Sequence, residues 1–165
     1  MKKIILLLII FSATFSGCEK DDICAADTPT TPTVVIEFFD DATTVLKGVA
    51  KLKIQEVGNT KVLGVFDDAK IKLPLKTDDD FVKYSFTLNS DKAAPIINTD
   101  ILEFNYTRKI VYISRACGYK TIFVLNANSP TKTDIIPTDT FWIKKITIVQ
   151  PNINDENETH IKIFF

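Results

Sequence analysis

A period of two in the hydrophobic pattern constrains this chain more than any other feature. In Phe81 to Leu88, Val82, Tyr84, Phe86 and Leu88 alternate with Lys83, Ser85 and Thr87. The same alternation sets Ala50, Leu52 and Ile54 against Lys51, Lys53 and Gln55, and Ile71, Leu73 and Leu75 against Lys70, Lys72 and Pro74. It returns in Leu102, Phe104 and Tyr106 against Glu103, Asn105 and Thr107. At the end of the chain it sets Ile161, Ile163 and Phe165 against His160, Lys162 and Phe164. Successive side chains of a strand point to opposite faces, so each run predicts a strand with one buried and one wet face.

Three stretches, Val34 to Phe39, Ile110 to Ile113 and Thr121 to Leu125, are apolar or β-branched on both sides and predict central strands. Pro74 cannot donate to a ladder, which places its strand at a sheet edge. In Thr140 to Val149 the phase slips at Lys144-Lys145, which predicts a bulge. Turn formers separate the runs: Asp40-Asp41, Gly58-Asn59, Asp67-Asp68, Asp78-Asp79-Asp80, Asn89-Ser90-Asp91, Asn126 to Pro130 and Asn152 to Asn157. No segment of ten or more residues carries a helical period. The expected fold is an all-β antiparallel sandwich of about eight or nine strands, immunoglobulin-like or transthyretin-like in shape. A closed antiparallel β-barrel is the alternative.

The N-terminus follows another logic. Lys2 and Lys3 precede eight unbroken apolar residues, Ile4 to Phe11, and small residues then lead into Cys18 through Phe15-Ser16-Gly17. A bilayer span takes about 20 apolar residues, so this run reads as an export signal. The arrangement resembles a lipoprotein processing site with Cys18 as first mature residue; Phe15 departs from the usual aliphatic residue. The resemblance implies a signal peptide over 1–17 and lipid on Cys18, with diacylglycerol and an acyl chain such as palmitate. Two or three chains at roughly 0.8 kcal/mol per methylene make such an anchor effectively permanent. An ordinary secretory signal with an incidental cysteine is the other reading. Glu19-Lys20-Asp21-Asp22 resembles the Lys-plus-acidic signal that directs Bacteroidota lipoproteins to the outer face of the outer membrane, and this favours the cell surface over the periplasmic side. Residues 18–33, with Thr28-Pro29-Thr30-Thr31-Pro32-Thr33, read as a polar stem, and 34–165 as a single β domain.

With Cys18 set aside, Cys24 and Cys117 remain. In an exported chain an even pair is a candidate disulfide; two separate buried thiols are the alternative. Without Lys2 and Lys3 the chain has 18 basic against 21 acidic side chains, a net charge near −3, which argues against general nucleic-acid binding. Two cysteines and the one distant histidine lack the spacing of a metal site, and none of the acidic clusters follows the Asp-x-Asp-x-Asp-Gly calcium loop. No nucleophile elbow accompanies His160, an ordinary outward-facing strand histidine on this reading, so no catalytic residue or cofactor is expected. Paired carboxylates for hydrolysis are a spatial matter on which sequence is silent.

The densest unusual segment is Asn105-Tyr106-Thr107-Arg108-Lys109, then Tyr112, then Ser114 to Lys120, and it holds both arginines of the chain. Arg108 and Arg115 offer planar forks for an anion, and Tyr106 and Tyr119 offer rings that stack on a sugar. The competing account is structural: Arg108-Lys109 at a hairpin, Cys117 in a bridge, Gly118 at a bend.

Together the processing site, Asp21-Asp22-Ile23-Cys24, the lead from Thr30-Thr31-Pro32 into Val34 to Asp40, the block Ser114-Arg115-Ala116-Cys117-Gly118-Tyr119-Lys120 and the closing His160 to Phe165 resemble an uncharacterised, flavobacterial-type group of Bacteroidota lipoproteins. This resemblance implies a surface lipoprotein and agrees with a Cys24–Cys117 pairing. It brings no activity, because that group is a domain of unknown function. The expectation is a non-catalytic binding or envelope-assembly module that meets an envelope protein or glycan. A hydrolase of surface polysaccharide or peptide, or a purely structural envelope protein, are the alternatives.

Overall fold

Each of the five alternating runs becomes a strand, and their apolar members apart from the exposed Ala50 meet in one core. A computed structural model describes residues 23–93, 96–135 and 140–165, so Cys18 and the signal lie outside the described residues. Among the described residues the fold is all-β, with no helix. The strands are β1 (Val34–Phe39), β2 (Leu52–Glu56), β3 (Val62–Phe66), β4 (Lys70–Leu73), β5 (Phe81–Leu88), β6 (Asn98–Ser114), β7 (Gly118–Leu125), β8 (Thr131–Asp134), β9 (Lys145–Ile148), β10 (Asn152–Ile153) and β11 (Ile161–Phe164).

One sheet runs β4-β1-β11-β9, and the other runs β10-β7-β6-β5-β2-β3 with β8 also on β6. Val34, Ile36, Phe38, Ile71, Leu73, Ile161 and Ile163 of the first sheet pack on Leu52, Ile54, Val82, Tyr84, Phe86, Leu102, Phe104 and Phe123 of the second. That is a β-sandwich and not a closed barrel. Phe38, Phe86, Phe104 and Phe123 are wholly buried, each contributing about 1.5–3 kcal/mol relative to an exposed ring. β1 is central and Pro74 follows directly on the edge strand β4, as the sequence predicts.

The structure corrects several expectations. Among the described residues there are eleven strands, because β3, β8 and β10 are short additions at the margins of the larger sheet. The sandwich is also not purely antiparallel. β1 and β11 pair in parallel, Ile36 opposite Ile161 and Phe38 opposite Ile163, with nearly the whole domain as the crossover a parallel pair requires. The phase slip at Lys144-Lys145 is the start of β9, whose ladder to β11 is regular from Lys145. Before it, Trp142 and Ile143 are both buried: the indole N–H donates to Phe86 O at 3.0 Å and the Ile143 N–H to the buried Asp100 carboxylate at 2.8 Å. The register shifts fall instead at Ile54/Gln55 and Tyr112/Ser114.

His160, expected to face outward, is 1% exposed. Its Nδ1 accepts the Val35 N–H at 2.9 Å, and the His160 backbone N–H donates to Val35 O at 3.0 Å. Burial holds its pKa below the ordinary value, more than Glu158, Asp155 and Glu156 raise it. The neutral ring thus closes the start of the parallel pair.

Where the chain passes between sheets, from β4 to β5, two tyrosines fasten it. Tyr84 OH donates to Pro74 O at 2.7 Å, and Tyr106 OH accepts the Lys76 N–H at 2.9 Å. Burial pushes the Tyr106 phenol up to about 12, so it stays protonated and hydrogen-bonded. This connection marks the end of the core.

Candidate functional site

β6 continues beyond that end. Its first half pairs β5 from Asn98 to Asn105, and the Tyr106 N–H still reaches Asp80 O at 3.0 Å. From Thr107 to Ser114 its ladder is with β7 alone, which makes β6 and β7 a projecting two-stranded ribbon. The stretch Ile110 to Ile113, expected to be central, is therefore half in solvent: Ile110 and Tyr112 are exposed, and Val111 and Ile113 half-buried, because β5 ends opposite Asn105.

Tyr112 faces Tyr119 across the ribbon, ring centroids 5.3 Å apart in an edge-to-face pair. Pairs of this kind contribute about 0.5–1.5 kcal/mol beyond area burial. At the tip, Gly118 has φ +70°, a conformation that costs glycine least, and the Cys117 N–H donates to Ser114 Oγ at 3.1 Å.

Cys24 and Cys117 form a disulfide across 93 residues, with Cα atoms 4.9 Å apart. The segment between Cys24 and β1 then runs beside β7. Thr31 Oγ1 accepts the Thr121 N–H at 3.0 Å, the Thr28 hydroxyl lies 3.5 Å from Cys117 Sγ, and Thr33 donates from both N and Oγ1 to Glu156 at 2.8 and 2.6 Å. Lys72 meets the same carboxylate at 2.6 Å. Partial burial tends to raise the Glu156 pKa, but Lys72 and Thr33 outweigh it and hold the carboxyl down at about 2. Between segment and ribbon is an open recess of about 410 Å³ bounded by Thr28, Thr30, Ile113, Tyr119 and Lys120.

The four residues considered for ligand binding do not form one surface. Tyr106 is buried at 1% exposure and has no face to offer a sugar. Arg108 Nε meets Asp80 at 2.6 Å and its Nη1 meets Thr77 O at 2.6 Å, so this guanidinium clamps the β4–β5 connection. Arg115 stands exposed in the ribbon turn, and Tyr119 belongs to the Tyr112 pair. Sequence reasoning set Tyr112 in the unusual segment but missed Ile110 as a surface residue. The available signal was charge: positions 104–133 contain no Asp or Glu.

Among the described residues no cluster of three or more His, Cys, Asp or Glu is arranged to hold a metal ion. A recess between Pro29, Pro32 and Asn154 includes two carboxylates, Asp155 and Glu156. Glu156 there is engaged by Thr33 and Lys72, and Asp155 accepts the Asn157 N–H at 2.9 Å. No helix among the described residues is long and apolar enough to cross a membrane.

The family of unknown function DUF6452 matches residues 51–165. The matched span includes the whole ribbon and Cys117 but begins after β1 and Cys24, so the bridge joins the family region to the segment in front of it. No curated protein and no solved structure matches the chain.

Proposed function

The chain belongs to the DUF6452 family, from which no activity can be inherited, and we propose that it is a lipid-anchored, non-catalytic module of a Bacteroidota-type cell envelope. On this reading Cys18 carries the lipid in the outer membrane, the domain is displayed on the cell surface, and it engages an envelope protein or glycan.

The Cys24–Cys117 bridge carries the argument. It uses the two thiols left over once Cys18 is taken for acylation, and bridges of this kind persist in oxidising compartments outside the cytosol. The export-type start of the sequence and the acidic residues behind Cys18 agree with it. The binding role draws on a rigid scaffold with an exposed aromatic ribbon, and on carboxylates engaged in ion pairs and turns.

Palmitate labelling and fractionation test the anchor. Wild-type chain incorporates label and sediments with the outer membrane, while Cys18→Ala does neither; an unlabelled, soluble wild-type chain contradicts the reading. Protease treatment of intact cells degrades the displayed domain, and full protection places it on the periplasmic side instead. Crosslinking in intact cells yields one discrete adduct with a protein or polysaccharide, and repeated absence of any adduct removes the binding role.

A further inference from the structure

The face that carries Leu102, Phe104 and Tyr106 in the core continues past the Arg108–Asp80 ion pair along the ribbon as Ile110, Tyr112 and, across the ladder, Tyr119. There the side chains are 70%, 58% and 69% exposed. Exposed apolar side chains grouped on one face mark contact with something.

Two further observations say what that is. The thirty positions 104–133 lack any acidic residue and hold Arg108, Lys109, Arg115, Lys120 and Lys132, in a chain whose formal charge is −1. With Arg108 committed to Asp80 and Lys120 Nζ donating to Asn154 O at 3.3 Å, Lys109 is left on the other face of the ribbon beside the aromatic pair. Tyrosine rings among basic side chains are the composition of a membrane–water interface, where rings sit at headgroup level and cations meet anionic phosphate. The second observation is where the N-terminal segment leaves. Cys24 is bonded to the ribbon tip, Ile23 beside it is 77% exposed, and Cys24 lies six positions after Cys18. Six extended residues reach at most about 20 Å.

We propose that the projecting ribbon enters the anionic headgroup layer of the membrane that holds Cys18, tip first. Ile110, Tyr112 and Tyr119 occupy the interface, and Lys109 meets headgroup phosphates. The inference rests on Cys18 being lipid-modified. It turns the anchor from a leash into a seat: the domain stands at a fixed height, with β3 at the far edge of its larger sheet turned away.

The test uses the full lipidated chain, purified from membranes and reconstituted in vesicles of phosphatidylglycerol and phosphatidylcholine containing a headgroup-region spin label. The buried Trp142 gives a common background. Tryptophan emission from the Tyr112→Trp variant is quenched severalfold more than that from Val65→Trp, placed on the exposed edge strand β3. Tyr119→Trp repeats the measurement should the first variant fold poorly. Quenching weakens in phosphatidylcholine alone; equal quenching there refutes the role of the anionic phosphates. Protein that floats with the vesicles but shows equal quenching at the two positions overturns the ribbon's seat and leaves the anchor standing. If self-association accompanies that result, the face belongs to a second copy. Protein that does not float at all overturns both.

Discussion

Phe104 and Ile110 stand on the same face of the same strand, six residues apart, and meet opposite environments. Phe104 is wholly buried between β5, β8 and the opposing sheet, while Ile110 has β7 beside it and 70% of its surface in solvent. The pleat decides which face a side chain takes. Coverage of that face is decided by where neighbouring strands end, and β5 ends opposite Asn105. A strand that outruns its sheet presents its inner face to whatever lies outside the domain.

Breaking the buried half has the largest effect. Phe104→Ala costs about 3–5 kcal/mol, read as a lower denaturant midpoint, because it removes a fully buried ring and leaves a cavity. A loss under about 1 kcal/mol is incompatible with the core described. Replacing Cys24 and Cys117 together by Ser comes next. The bridge closes a long loop, for which chain entropy gives up to about 4–5 kcal/mol. The native segment around Thr28 and Thr31 also gains freedom when released, so the observed loss is about 2–4 kcal/mol. In the double variant the ribbon tip becomes sensitive to proteolysis while the core resists.

His160 sharpens the contrast from inside the core. Its folded pKa lies below its unfolded value, so the folded state binds the proton less well. The stabilisation is complete above the unfolded value of about 6.5 and declines as pH falls through the folded one. His160→Asn, which keeps an acceptor for the Val35 N–H, flattens this dependence of the unfolding midpoint. An unchanged pH profile in that variant places the transition elsewhere. The smallest effect belongs to the ribbon: Ile110→Ala changes stability by at most about 0.5 kcal/mol, measured in the same denaturant series. A larger loss means that Ile110 is covered in solution.

The sequence made the buried face of each alternating strand legible, because a period of two needs no tertiary information: Val82, Tyr84 and Phe86 all point inward. Counting thiols also proposed the bridge that forms. What could not be read depends on distant chain. Ile110 to Ile113 look as apolar as a central strand, and nothing local reports that β5 stops short. His160 falls in phase with Lys162, yet the parallel alliance of β1 and β11 encloses it. Trp142 and Ile143 break alternation because they close the core from outside the ladder. Among candidate site residues, the tyrosines split between core and ribbon for the same reason.

Intact-mass measurement of the protein extracted from membranes tests the central claim most directly, since it reports anchor and bridge together. The account predicts a chain that begins at Cys18, heavier by its lipid, and lighter than its reduced form by one hydrogen for each of Cys24 and Cys117. A chain bearing an unmodified Cys18, or one whose mass is unchanged by reductant, contradicts it.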